Sequence, residues 1–119
     1  MEVSVFLDSD ILVNKIVEVL DDKKARDISM IDIKSVSTLA DYFVIASGTS
    51  TTHIKALADE LDERLQKDEG LKYRHREGYN NARWILLDYG EVVVHIFHEE
   101  DRSFYNLERL WQDGVISHL

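Results

Sequence analysis

Residues 41–65 read DYFVIASGTSTTHIKALADELDERL, and this stretch decides the fold. Tyr42 to Ala46 is a nearly continuous apolar run, as expected of an interior strand covered on both faces. Gly48 breaks that strand, and Thr49 or Ser50 can cap the following helix through a hydroxyl bonded to orphan backbone N–H groups. Ile54, Leu57, Ala58, Leu61 and Leu65 then recur at helical spacing, with Asp59, Glu60, Asp62, Glu63 and Arg64 mostly on the opposite face. Gly70 is a natural C-terminal stop. A helix beginning just after a strand and a glycine is a ready anion site. It is also the ordinary way to leave a strand and cap a helix. The turn matches neither GxxxxGK(S/T) nor GxGxxG, so it carries no nucleotide fingerprint.

Before this stretch, residues 1–9 read as a loose lead-in. Ser9 is the expected N-cap of a helix whose Val13, Ile16, Val17 and Leu20 form one apolar stripe. Ile28 to Ile33 reads as a strand whose apolar positions change phase between Met30 and Ile31. That pattern calls for a bulge or for burial on both faces. After it, Leu71 to Arg76 is half polar, as an edge strand would be, and Glu77 to Ala82 is a loop. Arg83–Leu87 and Val92–Phe97 are strongly apolar strands around a short Tyr89-Gly90 connection. Glu99, Glu100 and Asp101 lead into a closing turn or short helix carrying Leu107, Leu110 and Trp111. The order α-β-β-α-β-β-β-α predicts an α/β (α+β) fold: a mixed five-stranded sheet covered by helices, in a single domain over residues 1–119. The helix between the second and third strands implies a parallel crossover, and the short connections imply antiparallel pairs.

Composition narrows the function. The chain has 23 acidic and 14 basic residues, a formal net charge of −9, which opposes a nonspecific grip on nucleic acid and favours a basic partner. Cysteine is absent, removing disulfides, thiolate nucleophiles and zinc ribbons. No apolar run approaches the roughly 20 residues of a membrane helix, and MEVSVFLDSD lacks the pattern of a signal peptide. A cytoplasmic protein without membrane contact is expected.

The chemistry-bearing residues do not assemble into a known catalytic pattern. Two-metal transfer needs acids alternating along one strand, and no strand has them. Asp8 and Asp10 fall in the lead-in, and Asp88 and Glu91 flank the hairpin turn. His95 and His98 are three apart on a strand, a poor pair of metal ligands. His75 reaches His95 only if their strands pair. Neither HExxH nor GxSxG occurs. Trp84 opens an apolar strand, and alternation puts Trp84 and Leu86 on one face, with Ile85 and Leu87 on the other. Core packing and an exposed aromatic anchor are both open for Trp84; Trp111 reads more simply as packing against the domain.

Several blocks in fixed order carry a resemblance: ADYFVIASGTS at 40–50 with His53, the pair Glu77-Gly78, RWILLDYGEVVVHIF at 83–97, then Arg102 and FYNLERLW at 104–111. Together they resemble the ribosomal silencing factor (Iojap) family over nearly the whole chain after the first ten residues. The main departure is Thr52, where family members often carry arginine. The resemblance implies a fold like that of nucleotidyltransferases without their catalytic acids, with no enzymatic activity and no cofactor. It implies binding to the large ribosomal subunit through ribosomal protein uL14, blocked joining of the small subunit and repressed translation. Little direct nucleic-acid contact is expected, and some relatives resemble homodimers. By motif position, contact residues are Glu77, Gly78, Trp84 and Asp88 on the sheet and Arg102, Tyr105, Leu107, Glu108 and Trp111 in the closing segment, some of which only brace the sheet. A nucleotide-binding or vestigial nucleotidyltransferase-like protein using the Gly48–Ser50 turn is the second reading.

Overall fold

A computed structural model describes residues 8–105 and 115–118, with side chains for residues 8–102. Helix α1 (Ser9–Asp22) leads into strands β1 (Arg26–Asp32) and β2 (Tyr42–Gly48), and α2 (Thr51–Glu69) follows. Three strands come next: β3 (His75–Glu77), β4 (Trp84–Asp88) and β5 (Val92–His98). Helix α3 (Glu99–Tyr105) and strand β6 (Val115–His118) complete the described chain. The strands form one mixed sheet in the order β3-β4-β5-β2-β1-β6. All five expected strands are present, and β6 adds a sixth, antiparallel to β1.

Among the described strands only β2 and β5 pair in parallel; β1–β2, β3–β4 and β4–β5 are antiparallel. The chain leaving β2 through α2 therefore crosses to the far edge at β3 and returns strand by strand to lie beside β2. The third strand is His75–Glu77 rather than Leu71–Arg76, and all three of its residues are exposed. An exposed edge strand carries no apolar alternation, so its limits leave no mark on the sequence.

The sheet is apolar on both faces. Helices α1 and α2 cover one face, burying Leu12, Ile16, Leu20, Ile54, Leu57, Leu61 and Leu65 against Val44, Ala46, Ile85, Leu87, Val94 and Ile96. Each fully buried leucine or isoleucine contributes about 1.5–3 kcal/mol before entropy is counted. On the other face Ile31, Ile33, Ala40, Ile45 and Phe97 form a second cluster, with Phe43, Trp84 and Val93 packed at its margin. Burial on both faces explains the phase change in β1: Ile28 and Met30 face the helices, while Ile31 and Ile33 face the second cluster. The register shift lies earlier, between Arg26 and Ser29, where Asp27 has φ +49°.

The cap of α1 is Asp8, not Ser9: its side chain accepts from the Asp10 N–H at 2.8 Å. Ser9 instead donates to the Asp41 carboxylate at 2.7 Å. The Tyr42 hydroxyl donates to Asp10, and Lys34 Nζ lies 3.1 Å from that carboxylate. Both hold the Asp10 carboxyl below the usual carboxylate range. Asp8 is thus engaged in capping α1, and Asp10 in pinning its start to the sheet through Tyr42.

Candidate functional site

Cross-strand register sets three rows of side chains on the face opposite α1 and α2. Glu77, Leu86, His95, Ile45 and Ser29 align across β3, β4, β5, β2 and β1. His75, Asp88, Val93, Phe43 and Ile31 form the next row, and Trp84, Phe97 and Ser47 the third. At the β1–β2 end Ser29, Ile31, Ile45 and Ser47 are buried and Phe43 is half-buried. Toward β4 the rows become half-buried at Trp84, Leu86 and Asp88, and at β3 His75 and Glu77 are exposed. Glu77, Gly78, Trp84 and Leu86 line a depression of about 280 Å³ at that margin.

Trp84 is both packed and presented. Its ring lies 4.8 Å from that of Phe97 and 5.9 Å from that of His95. Its indole N–H donates to His95 Nδ1 at 3.1 Å. An indole can only donate, so Nδ1 is the acceptor and the imidazole carries its proton on Nε2. His95 is buried, and Nε2 has no hydrogen-bond partner among the described residues. Burial alone drives its pKa from 6.5 down to about 4.

Because the folded pKa lies below the unfolded one, the unfolded chain takes up the proton first. Stability is fully present above about pH 6.5 and is lost as pH falls toward 4. In His95→Asn, Oδ1 stands in for Nδ1 and accepts from Trp84 without titrating. Between about pH 7 and about pH 5, urea unfolding should show wild type losing about 2 kcal/mol more than this variant. Equal losses would mean that His95 titrates normally in the folded protein.

The other contact candidates fall at separate places. Gly78 has φ +80°, and a Cβ there would lie 2.0 Å from the Trp84 carbonyl oxygen, so glycine lets the loop after β3 press against β4. Asp88 accepts from the Gly90 N–H at 2.7 Å and closes the β4–β5 turn. Arg102 lies at the other end of the face. Its guanidinium donates to the buried hydroxyls of Ser47 at 2.8 Å and Ser29 at 3.3 Å, bracing α3 on the sheet. Only the backbone of Tyr105 is described, and Leu107, Glu108 and Trp111 lie outside the described residues. His75 pairs across to β4, two strands from His95, so the two histidines do not meet. Sequence reading passed over His95 as a support for Trp84, because that contact depends on register.

The Gly48–Ser50 turn is occupied by the chain itself. Ser50 caps α2, accepting from the His53 N–H at 3.0 Å. The Thr49 N–H donates to His53 Nδ1 at 3.0 Å, and His53 Nε2 donates to the Lys23 carbonyl at 3.0 Å. Thr52 is exposed in the first turn of that helix. Among the described residues no cluster of three His, Asp or Glu side chains could hold a metal ion, and no helix is long and apolar enough to cross a membrane.

The fold and this face define an α+β domain with a mixed sheet and a braced tryptophan near one sheet edge. The family model for "Ribosomal silencing factor during starvation" matches residues 7–118, and the chain belongs to that family. A ribosomal silencing factor from Halalkalibacterium halodurans is 43% identical over 108 residues, covering 85% of this chain and 92% of that protein. The mouse "mitochondrial assembly of ribosomal large subunit protein 1" is 36% identical over 83% of this chain, which spans 44% of that protein. A crystal structure of a protein from Chromobacterium violaceum superposes with TM-score 0.85 at 31% identity, covering 89% of this chain and 88% of that one.

Proposed function

We propose that this chain binds the large ribosomal subunit through ribosomal protein uL14, with the Trp84 face as the contact. Docked there, it blocks joining of the small subunit and lowers translation in the cytoplasm without catalysing a reaction. The observation that carries this reading is the family match across residues 7–118. The name of the mouse relative, which refers to assembly of the large ribosomal subunit, supports the choice of subunit. The geometry adds an anchor: a half-buried tryptophan beside a depression, held in one orientation before any partner arrives. Net acidity suits a basic ribosomal protein. A specific contact of this kind buries on the order of 1,600 Å² in total. A homodimer using the same face would compete with it.

Sucrose-gradient sedimentation tests the reading. The protein should travel with purified large subunits, and adding it before small subunits should reduce the joined peak. Absence from the large-subunit fraction would overturn the proposal. Magnesium plus nucleotide gives the contrasting arm. A ligand bound only by the folded form raises the melting temperature, as residual nucleotide binding at the Gly48–Ser50 turn would require. No such shift is expected, since Thr49 and His53 already use that turn's groups for each other.

A further inference from the structure

This acidic chain has one basic edge. Residues 72–83, KYRHREGYNNAR, hold Lys72, Arg74, Arg76 and Arg83 against Glu77 alone, 4 − 1 = +3 within a chain of −9. Here the structure builds an alternating ladder of cations and tyrosines. Lys55 Nζ lies 5.5 Å from the Tyr79 ring centre. The Arg76 guanidinium lies 4.1 Å from Tyr79 and 5.5 Å from Tyr73, and Lys72 Nζ is 4.1 Å from Tyr73. The rings hold the cations in place, so less rotamer freedom remains to be lost when they meet an anion.

Part of this charge is neutralised in place: Arg83 pairs with Asp101 at 2.9 Å and with Glu100 at 3.5 Å, away from the ladder. Among the described residues Lys55, Arg74 and Arg76 form no ion pair, while Lys72 meets Asp62 at 3.3 Å. Asp59 accepts the Tyr79 hydroxyl at 3.0 Å. Counting Lys55, Lys72, Arg74 and Arg76 against Asp59, Asp62 and Glu77 leaves a net charge of only 4 − 3 = +1, so the edge suits a local contact of its unpaired cations with two or three phosphates and not a long nucleic-acid groove. Beside the ladder, Arg76, Gly78, Tyr79, Asn80 and Asn81 line a polar depression of about 530 Å³. Gly78 also borders the smaller depression at Trp84, so the basic edge is continuous with the proposed protein contact.

We propose that the Lys55–Tyr79–Arg76–Tyr73–Lys72 ladder is an RNA-backbone contact, taking two or three phosphates of ribosomal RNA beside the protein bound at the Trp84 face. This rests on the preceding reading that the partner lies in the large subunit. A ribosomal protein in place is flanked by RNA, and a chain of −9 that docks on it needs cations where it meets phosphate. The tyrosine faces are already taken by cations, so base stacking is not on offer and the contact is independent of sequence.

The test is the full chain with Lys55→Gln, Lys72→Gln and Arg76→Gln together, beside wild type and Arg76→Lys. Binding to large subunits is measured from about 50 to about 200 mM salt, then repeated with isolated uL14 and with a short oligouridylate. The triple variant should bind subunits roughly tenfold more weakly at low salt, with a log–log salt slope shallower by about 2, and should bind uL14 as wild type does. Arg76→Lys keeps the charge and should retain most of the slope, which separates charge loss from a folding defect. An unchanged slope overturns the proposal. An equal loss against isolated uL14 also overturns it, and would assign the ladder to an acidic protein segment. If wild type fails to bind subunits at all, the preceding reading fails, and the oligouridylate decides this one. Wild-type binding lost in the triple variant sustains an RNA contact, and no binding rejects it.

Discussion

Replacing Trp84 with alanine should raise the dissociation constant for large subunits roughly thirtyfold or more, about 2 kcal/mol. The expectation follows from how the side chain is held. The indole lies 4.8 Å from the Phe97 ring, gives its N–H to His95 and stays half-buried at the margin of the second apolar cluster. A large ring fixed before binding loses little rotamer entropy when a partner covers it, so most of the area it buries counts toward affinity. Alanine also removes packing against Phe97, so the variant must be shown to fold by its thermal midpoint and its far-ultraviolet circular dichroism. Trp84→Phe provides the second point on the scale. It keeps an aromatic ring over Phe97 but leaves His95 Nδ1 without its donor, and its loss of affinity should fall between the other two. A folded alanine variant with wild-type affinity would remove Trp84 from the interface.

The sequence shows the elements of this face better than their neighbours. Alternation in WILLD places Trp84 and Leu86 on one side, with Ile85 and Leu87 buried beneath the helices on the other. A two-residue connection at Tyr89-Gly90 would set Trp84 opposite His95. The two-residue connection is instead Gly90-Glu91, where the Tyr89 N–H donates to the Val92 carbonyl at 2.9 Å, so Asp88 pairs with Val93 and Trp84 faces Phe97. A shift of two residues keeps every side chain on its face and changes only its neighbours. That is why the face could be read in advance, while the pairing of Trp84 with Phe97 and the diagonal reach of its indole to His95 could not. Position α2 shows the opposite case. Its apolar stripe, its serine cap and Gly70 at φ +65° are local signals, and each stands where helical periodicity and capping chemistry put it. Strand β6 carries only four residues, and its pairing with β1 joins distant parts of the chain. So short an edge strand leaves too few positions for a periodic pattern.

Gly78→Ala should destabilise the fold by about 3 kcal/mol or more, whereas Gly70→Ala should cost only about 1 kcal/mol. Both glycines have positive φ, +80° and +65°, so both substitutions incur the left-handed backbone penalty. They differ in space. Nothing lies within 4 Å of a Cβ at Gly70, at the open end of α2. At Gly78 the added carbon would sit 2.0 Å from the Trp84 carbonyl oxygen and 3.1 Å from its carbonyl carbon. Backbone cannot swing aside as a flexible side chain can, so relief requires the loop after β3 to lift away from β4. Glu77 pairs with Leu86 just beside this point, and lifting the loop would open the depression beneath Trp84. The stability loss should therefore come with weaker large-subunit binding for Gly78→Ala, and with unchanged binding for Gly70→Ala. Urea unfolding of the two variants and of wild type separates the terms, because the difference between the variants isolates the close approach. Equal destabilisation by the two substitutions would show that the loop yields freely and that Gly78 serves only its backbone angle.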